Sequence, residues 1–210
     1  MRDKIGIVYF GKPAGMKPVS FNPPDRTERA HVADLVRSMR KDSGFLVEAP
    51  IILDYDNFIA DGHRRWTAAK IVGIELVPYM RTNKSASKMW AALNSNRRPC
   101  GTSTIYKAFA GGMTEIPDGA PGNNLRYVLR KYGPDMVYFL SDNGMTKSAV
   151  EWAERVTRYI GWSESDTPIV IDWIVKNRMV RLSRHAIDGG YNRQKFEQLI
   201  LNGEPLQLFK

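Results

Sequence analysis

One stretch of the sequence reads Phe58-Ile59-Ala60-Asp61-Gly62-His63-Arg64-Arg65-Trp66-Thr67-Ala68-Ala69-Lys70. It predicts a short strand, a tight Asp-Gly turn and then a helix whose first turn carries two arginines. A helix start presents free backbone N–H groups and the positive end of the helix dipole. Arg64 and Arg65 add two guanidinium groups there, and Gly62 lets the backbone come close to a ligand. The stretch therefore predicts an anion site, most naturally for phosphate, at a strand-to-helix junction.

Length and composition are those of a globular protein with one large domain or two small ones. The chain has 210 residues, and its apolar and charged fractions are ordinary. No apolar run approaches the ~20 residues that span a bilayer, and the first residues lack the pattern of a signal peptide. A single cysteine, Cys100, excludes an internal disulfide and a cysteine-cluster metal site. We therefore expect a cytoplasmic protein. No set of His, Asp and Glu residues in the sequence has the spacing of metal ligands.

The charge of the chain favours a polyanionic partner, since the formal net charge is +9. Its distribution sharpens the point, because the stretch from Leu76 to Thr114 contains no Asp or Glu. The basic residues in this stretch are Arg81, Lys84, Lys88, Arg97, Arg98 and Lys107. Such a block predicts an electrostatic footprint for nucleic acid, with a solvated surface as the alternative.

The pattern of strands and helices divides the chain. Short strands are predicted near 5–10, 51–53, 58–60 and 76–80. Helices are predicted after Asp61-Gly62 and over 87–94, so we expect residues 1–105 to form an α/β domain. Residues 106–124 are rich in glycine and proline and predict a linker. Residues 125–210 form a helical domain, and the expected helices of this half are 123–132, 134–141, 147–160, 167–177, 180–188 and 192–201.

Three motifs in this order resemble the ParB/sulfiredoxin-like superfamily, specifically the N-terminal domain of ParB-type proteins (the ParB-like nuclease domain). The first motif is Gly44-Phe45-Leu46-Val47-Glu48-Ala49-Pro50-Ile51, the second is Asp61-Gly62-His63-Arg64-Arg65 and the third is Leu93-Asn94-Ser95-Asn96-Arg97-Arg98. The resemblance covers about residues 17 to 100. It implies a small mixed sheet with helices, followed by a mainly α-helical C-terminal domain.

The resemblance also implies ligands and partners. In the ParB family the second and third motifs bind the triphosphate of a nucleotide, so a nucleoside triphosphate, CTP or ATP, with Mg²⁺ is the expected cofactor. Carried across, the residues that hold it are Gly62, His63, Arg64, Arg65, Asn94, Asn96 and Arg97. DNA and a nucleotide are the expected partners, a homodimer stays open, and a phage or plasmid origin fits the length of the chain.

The second motif departs from the family pattern, because His63 stands where the family has a glutamate. If the family's glutamate holds a metal ion or positions a water molecule for hydrolysis, hydrolysis of the nucleotide is in doubt for this chain. Asp61 and His63 are the candidate catalytic groups, for a nucleoside triphosphatase, a nuclease or a phosphotransferase on the same scaffold. The remaining alternative is a non-catalytic module that binds a protein or nucleic acid. Each of these carboxylates also has a structural alternative. For Asp61 it is an ion pair with a neighbouring arginine or capping of the helix. For Asp54 and Asp56 it is hydrogen bonding within the turn in place of Mg²⁺ binding.

A basic helical segment covers residues 176 to 185 near the C-terminal end. Its arginines, Arg178, Arg181 and Arg184, are candidate nucleic-acid contacts on a recognition helix. Two observations favour a plain helical bundle instead: residues 141 to 190 hold equal numbers of acidic and basic residues, and no turn signature separates two short helices there. The nearby tryptophans and tyrosines are expected to form the core of that bundle.

Overall fold

A computed structural model describes the backbone of residues 7–22, 29–41, 49–96 and 101–206. The chain divides into two compact units, Met1–Gly122 and Asn123–Lys210. None of the described helices combines the length and the apolar character that crossing a bilayer requires. The predicted motif residues 44–48, together with Arg97, Arg98 and Cys100, lie outside the described residues.

The first unit contains a mixed four-stranded sheet. Its strands are β1 (Tyr9–Gly11), β2 (Ile51–Leu53), β3 (Ile59–Asp61) and β4 (Val77–Arg81), in the spatial order β1-β4-β2-β3. β2 pairs in parallel with β4, and the other two pairs are antiparallel. The small mixed sheet confirms the expected α/β fold class for this half of the chain.

Helices cover this sheet and bury its apolar residues. They are α1 (Arg29–Lys41), α2 (His63–Val72), α3 (Ala86–Asn96) and α4 (Thr102–Ala110). Ile51, Ile59 and Val77 are fully buried from the strands, and they pack in one cluster with Val36 of α1 and Ala69 of α2. The apolar periodicity of α1 places Val36 on this inner face, and α1 packs against α2.

The predicted linker needs a correction at its beginning. Residues 106–110 belong to α4, and the irregular segment between α4 and the next helix covers residues 111–119. Ile105, Tyr106 and Ala108 are buried, so packing holds these residues in a helix next to the glycine pair that follows. The cluster of glycines and prolines beyond residue 110 had suggested a longer loop.

Five helices form the second half of the chain: α5 (Ala120–Asp142), α6 (Lys147–Ile160), α7 (Thr167–Lys176), α8 (Val180–Asp188) and α9 (Arg193–Asn202). α5 is broken at Gly133, which has φ 81° and ψ 178°, as expected from two adjacent predicted helices. The buried ring of Phe196 meets Tyr159, Trp173 and Tyr191 edge-on, at centroid distances of 6.3, 5.7 and 5.9 Å. These aromatic residues form a core, as predicted.

The basic segment 176–185 covers the end of one helix and the beginning of the next, as the expected helices 167–177 and 180–188 predict. α7 ends at Lys176, α8 begins at Val180, and the turn between them holds Arg178 at φ 53°. Only a few non-glycine residues adopt positive φ, so a turn of this kind carries little sequence signal when it lacks glycine. Two short helices joined by a short turn occur both in helix-turn-helix motifs and in plain helical bundles.

Candidate functional site

The start of α2 opens into a cleft of about 520 Å³ in the first unit. The residues that line it are Asn22, Leu35, Ala60, Asp61, Gly62, His63, Arg64, Arg65, Trp90, Leu93 and Asn94. The fold thus brings Asn94 of α3 next to the Asp61–Arg65 segment, as the second and third motifs require. Sequence reasoning did not include Trp90 among the site residues, although it lies one helical turn before Asn94, and Leu93 entered only as the first residue of the third motif.

Gly62 gives the cleft an uncapped helix start. It lies at φ 98° and ψ 17° as the N-terminal cap of α2, with no side-chain cap. A side chain could not be added there easily, because a Cβ atom would lie 3.3 Å from the Cα atom of Ile51. The left-handed backbone and the close approach of β2 both require glycine. The first N–H groups of α2 therefore border the cleft without a side chain of residue 62 in front of them.

Arg65 is held by the protein itself. Its Nη1 atom donates to the backbone carbonyls of Ala49 and, at 2.9 Å, of Pro50, and its Nη2 atom pairs with Oδ2 of Asp61 at 3.2 Å. These bonds tie α2 to the entry of β2. The predicted ion pair of Asp61 is therefore present, whereas capping of α2 by Asp61 is wrong, because Gly62 occupies the cap position.

Arg64 differs from its neighbour, since its side chain is exposed and forms part of the wall of the cleft. Asn94 faces it from α3 and is buried, with its Nδ2 atom donating to the carbonyl of Trp90 at 2.7 Å. The backbone of Asn96 ends α3, and its side chain lies outside the described part of the chain. Of the two adjacent arginines, Arg64 is therefore the more exposed one in the wall of the cleft.

His63 is buried beneath the cleft. Its Nε2 atom accepts a hydrogen bond of 3.4 Å from the backbone N–H of Val19, which lies in the segment after β1. The imidazole thus connects α2 to a segment 44 residues earlier in the chain. This contact uses the Nε2 lone pair, so it favours a structural role for His63 over that of a general base.

The carboxylate of Asp54 is used in a turn, as the structural alternative predicted. Its Oδ1 atom accepts from the N–H groups of Asp56 and Phe58 at 3.0 and 2.9 Å, and its Oδ2 atom accepts from Ala86 at 3.0 Å. Asp54 therefore closes the β2–β3 turn and holds the start of α3. Among the described residues, no group of three His, Cys, Asp or Glu lies close enough together to hold a metal ion.

The basic residues of the first unit have different surroundings. Arg81 donates to Oδ1 of Asn57 at 2.6 Å and to the carbonyl of Asp54 at 3.3 Å, so it braces the β2–β3 turn. Lys84 and Lys88 are exposed and line an open cleft of about 570 Å³ with Tyr55, Asn83 and Ser85. Lys107 is exposed on α4. Lys84 and Lys88 are thus the two members of the predicted block that share a surface cleft.

The basic residues of the second unit lie on and beside α8. Arg181 and Arg184 are exposed on one face of this helix, while Ser183 and Ala186 are buried on the other. Arg184 forms an exposed ion pair of 3.5 Å with Asp188, and Arg178 is exposed in the preceding turn. The exposed face of α8 therefore carries two arginines, one of them paired with Asp188, next to the turn between α7 and α8.

A cluster around Glu154 in the second unit was not predicted. Its Oε1 atom accepts from the hydroxyls of Tyr127 and Tyr132 at 2.6 and 2.7 Å and from Nζ of Lys131 at 2.9 Å. Burial acts to raise the pKa of the Glu154 carboxyl, but the three hydrogen bonds outweigh it, and this pKa lies below its ordinary value. Burial and the bond to Glu154 raise the pKa of the Tyr132 hydroxyl.

Comparison with solved structures finds ParB-type proteins, the family that the three motifs resemble. The C-terminally truncated chromosome-partitioning protein ParB from Caulobacter crescentus, complexed with CTP-gamma-S, is 16% identical over 93% of this chain and 99% of its own, with a TM-score of 0.38. A Pnob8-like ParB-N domain is 16% identical over 90% of this chain and 84% of its own, with a TM-score of 0.41. The Caulobacter protein complexed to the centromeric parS site is 14% identical over 92% and 99%, with a TM-score of 0.38. No protein-family model and no curated protein matches the sequence.

Proposed function

We propose that the cleft at the start of α2 binds a nucleoside triphosphate. The observation that carries this proposal is the exposed guanidinium of Arg64 beside an uncapped helix start, with Gly62 in the left-handed conformation. Backbone N–H groups, the helix dipole and a forked cation all attract phosphate oxygens. The cleft volume of about 520 Å³ is also ordinary for a small-molecule site.

Roles within the cleft follow from the contacts. Arg64 binds phosphate, and Arg65 positions the start of α2 by its bonds to Pro50 and Asp61. Asn94 borders the ligand from α3, and the resemblance to ParB-type domains adds Asn96 and Arg97 as further phosphate ligands. The same resemblance implies CTP or ATP with Mg²⁺.

The test is isothermal titration with CTP, ATP and GTP in the presence of Mg²⁺. We expect one nucleotide to bind and Arg64→Ala to weaken its binding at least ~10-fold, since bonds to charged groups contribute about 1.5–3 kcal/mol each. Lys70→Ala is the matched control, because Lys70 is exposed in the last turn of the same helix and stacks on Trp66 at 4.5 Å. Absence of binding to all three nucleotides would overturn the proposal.

Binding without turnover fits the surroundings of the two candidate catalytic groups. Asp61 is paired with Arg65, and Nε2 of His63 accepts from Val19. A nuclease, triphosphatase or phosphotransferase would require a general base or a metal-binding carboxylate near Arg64, for which the sequence offers Asp61, His63 and Glu48, the last of which lies outside the described residues. We expect no phosphate release from a bound triphosphate in a colorimetric assay. Release that Asp61→Asn abolishes would instead support an enzyme.

A second function, DNA binding, is proposed for the second unit. The specific observation is that α7 and α8 form two short helices joined by a turn, with Arg178, Arg181 and Arg184 exposed. In a helix-turn-helix the second helix enters the major groove. In a gel-shift assay at low salt we expect Arg181→Ala combined with Arg184→Ala to weaken binding. The control is the double variant Arg193→Ala and Lys195→Ala on α9. If the α8 double variant binds DNA as tightly as this control, the assignment is contradicted.

A further inference from the structure

The sheet of the first unit has an open edge, formed by β1. This strand lies at the end of the order β1-β4-β2-β3, and none of the described strands pairs with its outer side. The opposite edge, β3, is bridged by an earlier segment, because the N–H of Ile59 donates to the carbonyl of Lys17 at 2.8 Å. An open edge presents N–H and C=O groups that can pair with a further strand. The outer side of β1 can therefore take another strand.

The register of β1 determines which of its backbone groups face outward. Phe10 lies opposite Pro78 of β4 in an antiparallel pair. Proline has no N–H, and hydrogen-bonded pairs alternate with non-hydrogen-bonded pairs along an antiparallel ladder. Phe10 and Pro78 therefore form a non-hydrogen-bonded pair, and the N–H and C=O of Phe10 point away from β4. Within the part of the chain that the structure describes, neither group has a hydrogen-bond partner.

The side chains along this edge are apolar and uncharged. Ile7 is 70% exposed, Phe10 is 58% exposed and Tyr9 is 42% exposed. The stretch from Ile7 to Gly11 contains no charged residue and no proline, which are common means of keeping an edge strand from pairing. The chain as a whole has a net charge of +9. An uncharged edge lets a second, equally basic copy approach without placing like charges opposite each other.

We propose that β1 pairs with β1 of a second copy of this chain and so forms a two-fold dimer. In an antiparallel pair centred on Phe10, the N–H of each Phe10 donates to the Phe10 carbonyl of the other copy. The two Phe10 rings then meet on one face of the joined sheet, and on the other face Tyr9 lies opposite Gly11 of the second copy. The ring of Tyr79 already lies over Gly11, with Cε1 3.0 Å from the place of a Cβ atom, and it stacks on Tyr9 at a centroid distance of 5.5 Å. The second copy therefore extends an aromatic stack that each copy already has, and the strand is complementary to itself.

This pairing closes after two copies. A two-fold contact uses the same strand of both copies, so it leaves no open β1 edge to which a third copy could add. The strand is only three residues long, and we therefore expect a small interface and a reversible dimer. The inference does not depend on the proposed nucleotide and DNA binding, so every measurement of it is made in the absence of both ligands.

The first test joins the two strands by a disulfide. A hydrogen-bonded antiparallel pair places its two Cα atoms ~5.5 Å apart, within the ~4.4–6.8 Å that a disulfide spans. In the full chain with Cys100→Ser, we therefore expect Phe10→Cys to form a covalent dimer under mild oxidation. Tyr55→Cys is the matched control, because Tyr55 is 63% exposed and lies outside β1. Equal fractions of covalent dimer in the two variants would overturn the proposal.

The second test measures the dimer without a cross-link, by sedimentation velocity over a concentration series. We expect Phe10→Lys to raise the dissociation constant of the dimer at least ~10-fold, because the two lysines would face each other across the two-fold axis. Leu201→Lys, at a residue 61% exposed on α9, should leave it unchanged. A monomer at every concentration would overturn the proposal, and so would a dimer that Phe10→Lys leaves intact. If the monomer instead binds a labelled Val-Thr repeat peptide at this edge, a strand of another protein occupies it and self-pairing is wrong.

Discussion

At the scale of single residues, Arg64 and Arg65 are neighbours with opposite surroundings. Arg65 makes hydrogen bonds to Ala49, Pro50 and Asp61, and its side chain is only 22% exposed. We expect Arg65→Ala to lower the free energy of unfolding by about 2 kcal/mol, because it leaves two carbonyls and a carboxylate without their charged donor. Arg64→Ala should change it by less than ~0.5 kcal/mol. Urea unfolding of both variants measures the difference, and equal losses would contradict it.

Gly62 and Gly73 provide a matched pair at the two ends of α2. Both have positive φ, 98° and 82°, but a Cβ atom on Gly62 would meet Ile51 at 3.3 Å while one on Gly73 meets nothing within 4 Å. Each alanine substitution should destabilise the protein by about 1–2 kcal/mol through the left-handed backbone. We expect Gly62→Ala to be the more destabilising of the two in thermal unfolding. It should also weaken triphosphate binding, which Gly73→Ala should leave unchanged.

At the scale of elements, Glu154 joins α5 to α6 and makes this contact sensitive to acid. Its pKa is lowered in the folded protein from the ordinary value of 4.5, so the ion cluster stabilises the fold above that pH. As the pH falls from there through the folded-state pKa, protonation removes the stabilisation. We expect the melting temperature to fall below pH ~4.5 more steeply in the unaltered protein than in Glu154→Gln, which cannot titrate. If the melting temperatures of the unaltered protein and of Glu154→Gln fall equally steeply below that pH, this role of Glu154 is contradicted.

How far each element could be predicted depends on whether its signal is local. The apolar periodicity of α1, α6 and α9 and the glycines after α2 and α6 lie within single segments, so these elements could be predicted. α4 could not, because glycines and prolines just beyond it dominate the local pattern. The break between α7 and α8 was predicted from the two apolar patterns, although the turn itself has no glycine and Arg178 adopts positive φ there.

The candidate sites depend on contacts between distant parts of the chain, which a sequence pattern does not reveal. The cleft at the start of α2 could be predicted as a candidate anion site because the residues from Asp61 to Arg65 are contiguous in sequence. The sequence could not show which of the two arginines is hydrogen-bonded within the protein. The carbonyl groups that accept from Arg65 belong to Ala49 and Pro50, which are 16 and 15 residues away. The Glu154 cluster joins residues 22 to 27 positions apart on two helices, so this cluster has no local signature in the sequence.

At the scale of the whole molecule, the two units should each fold alone. The first continues to residue 118, because Ser87 Oγ accepts from the N–H of Glu115 at 3.0 Å and Ser95 Oγ accepts from that of Asp118 at 2.9 Å. The second has its own core around Phe196. We therefore expect separately expressed fragments 1–118 and 119–210 to unfold cooperatively, as domains with their own cores do.

The two proposed ligands should also separate with the two fragments. Fragment 1–118 contains the cleft at α2. We therefore expect its dissociation constant for the triphosphate to lie within ~10-fold of that of the full chain. Fragment 119–210 contains α8 with its exposed arginines and should keep the salt-dependent affinity for DNA. Circular dichroism, isothermal titration and anisotropy on the same preparations decide the matter. A helical, cooperatively unfolding 119–210 fragment that binds no DNA would place the nucleic-acid surface in the first unit, where Lys84 and Lys88 share an exposed cleft.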